Sequence, residues 1–236
     1  MKKYFCALTL SSLLLTSGYG ADEDGKGLSF GLGLDYGFDW ARSSYQGLPL
    51  FQGLPDVVTN TFDNKIGLLA SLQYVSDIGI VFDTQIRLAY LIPSLGIHGA
   101  GNLSDSLGNN INSAGFSTEL ALLGGYRLGF GSVGLAIKTG IAYAYSMGHY
   151  SINNVSDLYL LNNQHFLSWK IGLEADFNKV MLGFLVGVPF FYAQQVSTHA
   201  NIADVNFKST APTNMMYDAF SDWGLASFNV YVGYRF

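Results

Sequence analysis

From Leu28 to Trp40 the chain alternates a large apolar residue with a small or acidic one, without interruption. A period of two is the signature of a strand, because successive side chains point to opposite faces. The pattern recurs at about Lys65 to Val75, Ile78 to Ile92, Phe116 to Phe130, Val133 to Ser146, Phe166 to Phe177, Val180 to Ala193 and Trp223 to Phe236. Eight runs predict eight strands. They are about 11 to 16 residues long, and a tilted strand needs about 9 to 11 to cross a bilayer. Ser76-Asp77, Gly131-Ser132 and Asn178-Lys179 read as tight hairpin turns. The other four links, at about 41–64, 93–115, 147–165 and 194–222, are long. Short connections at one end and long ones at the other are the layout of transmembrane barrels. An extra hairpin inside a long link would raise the count to ten strands.

The two faces of these runs differ in kind. One carries Leu, Ile, Val, Phe, Tyr and Trp and no charge, although 12% of the chain is charged. The other carries Asp35, Asp39, Lys65, Asp83, Arg87, Glu119, Arg127, Lys138, Lys170, Glu174, Asp176 and Arg235, interleaved with glycines. A soluble barrel puts its bulky apolar residues inside and its charge in water. The opposite arrangement needs lipid outside. Outward aromatics sort by height: Phe38, Trp40, Tyr90, Phe116, Tyr143, Tyr145, Phe190 and Tyr192 toward the long links, Tyr74, Phe82, Tyr126, Phe130, Phe177, Tyr234 and Phe236 toward the turns. Two such girdles are expected at the headgroup levels of a membrane. The fold class predicted is therefore all-β: an eight-stranded, antiparallel, up-and-down transmembrane β-barrel with short periplasmic turns and long extracellular loops.

Lys2 and Lys3, an apolar stretch from Phe5 to Leu15, and small residues at Gly18 and Gly20 make residues 1–20 a secretory signal peptide, cut before Ala21. The barrel domain is then 21–236. The sole cysteine, Cys6, leaves with that segment, so disulfides cannot stabilise the exported chain. Taking Lys2 and Lys3 from 12 basic residues leaves 10 against 17 acidic ones, a net charge of −7. That balance argues against a nucleic-acid partner.

The six acidic and six basic inward positions predict mutual neutralisation in a lumen that eight strands leave barely wide enough for side chains. Inward Leu69, Val81, Leu91, Leu123, Met181, Leu185, Pro189 and Phe191 leave room for an apolar pocket, and Pro189, lacking an amide hydrogen, marks either a bulge or the end of regular pairing near the outer rim. Candidate chemistry is sparse. His98, His149, His165 and His199 are too scattered for a metal motif, and His149-Tyr150-Ser151 is too slight to carry catalysis. No catalytic residue, metal ligand or cofactor is assigned, and the chain is not read as an enzyme.

The chain ends Phe228-Asn229-Val230-Tyr231-Val232-Gly233-Tyr234-Arg235-Phe236. Its terminal Phe236, with Val230, Val232 and Tyr234 at alternate positions before it, resembles the signal read by the barrel insertion machinery. With the eight-run meander, the chain resembles the small eight-stranded outer membrane proteins: OmpA-type barrels, OmpX, OmpW and the opacity-protein surface antigens. That resemblance implies residence in the outer membrane, with its lipid and lipopolysaccharide and the insertion machinery as partners, and a structural or surface-adhesion role through the loops. Host surface or matrix molecules would then be partners too. Passage of small hydrophobic molecules, as in OmpW, and lipid modification by a rim enzyme are the alternatives. The first loop carries a repeat, Gln46-Gly47-Leu48-Pro49 and Gln52-Gly53-Leu54-Pro55, and the third an apolar Leu158-Tyr159-Leu160-Leu161.

Overall fold

A computed structural model describes residues 26–45, 57–98, 111–152, 158–202, 205–215 and 225–236. The expected export segment and the repeat in the first loop lie outside the described residues. Nine strands occur among them: β1 (Gly27–Tyr45), β2 (Val57–Val75), β3 (Ile80–His98), β4 (Ile111–Phe130), β5 (Val133–Ile152), β6 (Leu158–Phe177), β7 (Val180–Ile202), β8 (Val205–Met215) and β9 (Leu225–Arg235). Each pairs antiparallel with its neighbour from β1 to β7, and β9 closes the cylinder by pairing with both β1 and β7. The wall is thus an eight-stranded closed barrel, as the eight runs predict. β8 pairs with β7 alone. The extra hairpin exists, but it extends β7 beyond the wall instead of widening the barrel to ten strands.

The strands overrun their expected ends at the loop side. β2 begins at Val57, β3 runs to His98 and β5 to Ile152, so the apolar Leu158-Tyr159-Leu160-Leu161 stretch is strand, not loop, and lies opposite Ser197–Ala200. Backbone pairing satisfies amides and carbonyls whatever the side chains are, so hairpins continue past the level where alternation stops. Seven strands of 19 to 23 residues result, about twice what a bilayer crossing requires.

At the other end, two turns take the two-residue form: Phe130 pairs with Val133 around Gly131 (φ 62°), and Phe177 with Val180 around Asn178 (φ 55°). Gly and Asn are the residues that tolerate this left-handed backbone. The first turn is longer than Ser76-Asp77. It takes in Ile78 and Gly79 (φ 86°), and the Ser76 hydroxyl accepts a hydrogen bond from the Ile80 amide at 2.9 Å. Ile78 therefore sits in the turn, 68% exposed, and not on the strand face.

Pro189 lies at a bulge. Leu167 pairs with Phe191 while Ser168 pairs with Pro189, leaving Phe190 as the extra residue. One inserted residue reverses the phase of everything beyond it. Phe191, expected inside, is consequently turned outward and 43% exposed. Leu69, Leu123, Met181 and Leu185, with Tyr231 and two alanines, form a buried apolar cluster in the lumen.

Candidate functional site: the charged interior

The phase of each strand decides what it buries. Outward residues such as Leu34 are 62% exposed, while Lys170, on the inward phase, is 0% exposed. All twelve charged residues singled out from the sequence line the interior, and they assemble into three groups with equal numbers of cations and anions. Nearest the turns, Arg235 bridges Asp176 (Nη1 to Oδ1, 2.7 Å) and Glu174 (Nη2 to Oε1, 2.7 Å), and Arg127 Nε also meets Asp176 at 3.3 Å. Lys138 Nζ joins Glu174 (2.6 Å) to Asp83 (2.7 Å). At mid-height, Arg87 pairs with Asp35 (3.1 Å) and Glu119 (2.7 Å), and Lys170 takes the second Glu119 oxygen at 2.9 Å. Toward the loops, Lys65 pairs with Asp39.

Local neutrality is what makes this interior tolerable. An isolated buried ion would cost several kcal/mol, whereas a hydrogen-bonded, compensated set recovers most of that cost. Sequence reasoning missed the uncharged members. Tyr231 donates to Glu174 Oε2 at 2.6 Å with its ring 5.6 Å from the Arg87 guanidinium carbon, and Gln85 donates to Asp83 (2.7 Å) and accepts from Arg87. These two residues tie the lower group to the middle one. Asn229 does the same within the middle group, donating to Asp35 at 3.0 Å and accepting from Lys170 at 3.2 Å. Their signal was available, since Gln73, Gln85, Asn229 and Tyr231 share the inward phase with the charges. Gly183 lies beneath Tyr231: a Cβ there would meet Cζ and Oη of the ring, so a residue without a side chain makes the phenol's position possible.

The interior leaves little free space at this level. Above the middle group, Asp39, Lys65, Glu119, Phe166 and Pro189 enclose a cavity of about 10 Å³. That is at most one water. No group of three or more potential metal ligands gathers among the described residues. His149 and His165 lie on β5 and β6, where His165 Nδ1 is 2.7 Å from the Tyr143 hydroxyl, and His98 and His199 fall on β3 and β7.

The outer surface completes the picture. Phe130, Val133, Phe177, Val180 and Tyr234 are joined by consecutive cross-strand pairs, giving a continuous row near the turns. Toward the loops, Phe38 stacks on Phe228 (4.6 Å between centroids), and Tyr90 is paired with Phe116. Trp40 and Tyr192 belong to strands there, with Tyr192 opposite inward-facing Phe166. Val230, Val232 and Tyr234 on the closing strand β9, and Phe236 just after it, are exposed on the outer surface, and the Phe236 amide donates to the Phe30 carbonyl at 2.8 Å.

Among solved structures, the chain is similar to a major outer membrane protein from Thermus thermophilus, at 14% identity and TM-score 0.50, over 87% of this chain and 99% of that one. The fold is that of an outer-membrane barrel. It is also similar to Ail, the attachment invasion locus protein of Yersinia pestis (12% identity, TM-score 0.39, 89% of this chain and 99% of that one). The translocator domain of the autotransporter NalP from Neisseria meningitidis covers all of this chain (11% identity, TM-score 0.32, 100% of this chain and 98% of that one). No protein-family model matches the sequence, and no curated protein matches it.

Proposed function

We propose that the chain is an outer-membrane barrel protein with a plugged lumen, oriented with its turns toward the periplasm, that serves as a structural or adhesive element of the cell surface through its outer hairpins. One observation carries this reading: an uncharged apolar exterior surrounds an ion network that is neutral group by group. Hydrocarbon outside accounts for the first, and a lumen closed to diffusion accounts for the second. Residues 1–20 act as the cleaved export signal, and Val230, Val232, Tyr234 and Phe236 are the residues that the insertion machinery reads. Outer-membrane lipid and lipopolysaccharide surround the wall, and host surface or matrix molecules are the partners of the hairpins.

The test expresses the chain in a diderm bacterium. The expected result is a heat-modifiable band in the outer-membrane fraction with its N-terminus at Ala21, no stepwise conductance in planar bilayers, and binding to cells or matrix that is lost when the outer hairpins are shortened. Stable ionic conductance would overturn the plugged lumen, and binding unaffected by hairpin trimming would overturn the adhesive role.

A second reading is favoured by the interruption in the wall: β7 leaves β9 at Gly187 opposite Ser227 and meets β8 only at Tyr192. Phe190 and Phe191 are both exposed there, beside the small cavity that Pro189 lines. A barrel conducting small hydrophobic molecules would release them sideways at this seam. Uptake of an apolar solute that stops when the seam is cross-linked would favour it over the adhesive reading.

A further inference from the structure

Four buried side chains in the lower lumen form a ring of hydrogen bonds that lacks one link. Gln73 on β2 and Asp83 on β3 are a cross-strand pair, and both are turned into the lumen, 0% and 2% exposed. Gln73 Nε2 donates to Glu174 Oε1 at 3.0 Å. Lys138 Nζ lies 2.6 Å from that same oxygen and reaches on to Asp83 Oδ2 at 2.7 Å. The path therefore runs from Gln73 through Glu174 and Lys138 to Asp83, and stops there. At the open link, Gln73 Oε1 and Asp83 Oδ1 are both buried, and neither accepts a hydrogen bond from any described residue.

Two acceptors do not satisfy each other, and a buried acceptor without a donor is costly. Turning the Gln73 amide over would offer Asp83 a donor. It would also set an oxygen where the nitrogen now lies, 3.0 Å from the Glu174 carboxylate, so the anion imposes the observed orientation. Lys138 supplies the remaining requirement, because its ammonium carries three hydrogens and the two carboxylates take two. A small molecule that gives two hydrogen bonds and receives one satisfies all three groups. Water does this, and about three bonds is the usual complement of a buried water. A bound cation fits less well: Arg127, Lys138 and Arg235 already balance Asp83, Glu174 and Asp176, so one more would leave the lower group with a net charge.

We propose that one water molecule is bound between Gln73 and Asp83 as a fixed part of the lumen plug, donating to Gln73 Oε1 and Asp83 Oδ1 and accepting from Lys138 Nζ. The inference rests on the plugged-lumen reading above and deepens it. A closed lumen holds this water apart from bulk solvent, whereas a pore would let it exchange freely.

Two measurements on the full mature chain test it: a crystal structure sharp enough to show waters, and water-to-protein NOEs in micelles. The wild type is expected to show a single water within about 2.6–3.2 Å of Gln73 Oε1, Asp83 Oδ1 and Lys138 Nζ. A long-lived water should also give an NOE to the Gln73 side-chain amide. Asp83→Asn puts a donor at the open link, so the amide bonds Gln73 directly, and this NOE should disappear while the heat-modifiable band persists. A wild type with Gln73 Nε2 bonded directly to Asp83, or with no water in reach of both oxygens, overturns the site whatever the variant does. An Asp83→Asn protein that keeps the NOE overturns its two-acceptor basis. A file of connected waters reaching bulk solvent, without stepwise conductance, overturns the isolated water and spares the barrier to ions. Stable conductance overturns the plugged lumen, and the trapped water with it.

Discussion

The barrel has two zones with different rules. Between the turns and the Lys65–Asp39 pair, the strands alternate outward-facing apolar residues with buried ones, and the buried side combines the ion groups with the Leu69–Leu123–Met181–Leu185 cluster. Beyond that level the same strands continue as hydrogen-bonded hairpins through segments such as Asn162-Asn163-Gln164 and Val196-Ser197-Thr198-His199, where alternation lapses. The contrast teaches that alternation records two opposed solvents, whereas strand pairing records only the backbone's need for partners.

Substitutions break this comparison at different depths. The largest effect is expected in the interior. Lys138→Met leaves Asp83 and Glu174 without their shared cation and should lower unfolding stability in micelles by about 3–5 kcal/mol, measured by denaturant titration. Adding Asp83→Leu should recover part of that loss, because removing both partners spares the cost of an orphaned ion. An unchanged stability for the single variant would mean that the ion groups are not what holds the lumen.

Next comes the lipid face. Leu34→Arg places a cation on the exposed outer surface and should cost about 2–4 kcal/mol in bilayers if that position lies near the midplane. The same variant should cost far less in a detergent with a short chain and a wet surface, and equal losses in both media would argue against hydrocarbon at that level.

Gly183→Ala tests packing without changing charge. Its new methyl group must displace the Tyr231 ring, and with it the hydrogen bond to Glu174, for an expected loss of about 1–3 kcal/mol by the same titration. Smallest of all should be the hairpin zone. Trimming 197–210 to a short turn removes the β7–β8 pairs from Ser197 to Ile202 and the β7 partners of Leu158–Leu161 on β6, all beyond the last β7–β9 pair, and the unfolding free energy should hold within about 0.5 kcal/mol of the parent. A large loss there would mean that the outer hairpins brace the barrel, and the two-zone division would fall.

The chain's own order made the membrane zone legible. Alternation without a charged error on one face implies lipid, and the twelve charges on the other imply a polar interior; their burial follows from parity alone, as Asp35 and Lys138 illustrate. Where no second solvent imposed a pattern, the reading stopped short, so the overrun of β2 to Val57 and of β7 to Ile202 left no trace in the residues.

Tertiary structure decided what parity cannot express. Which carboxylate meets which cation depends on register and barrel stagger across strands distant in sequence, so the sharing of Glu174 by Lys138, Arg235 and Tyr231 could not be read from spacing. Closure through β9 instead of β8, and the reversal of Phe191 by one bulged residue, are likewise properties of pairing. Face is a local property with a period of two; partnership is a non-local one, settled only when the sheet closes on itself.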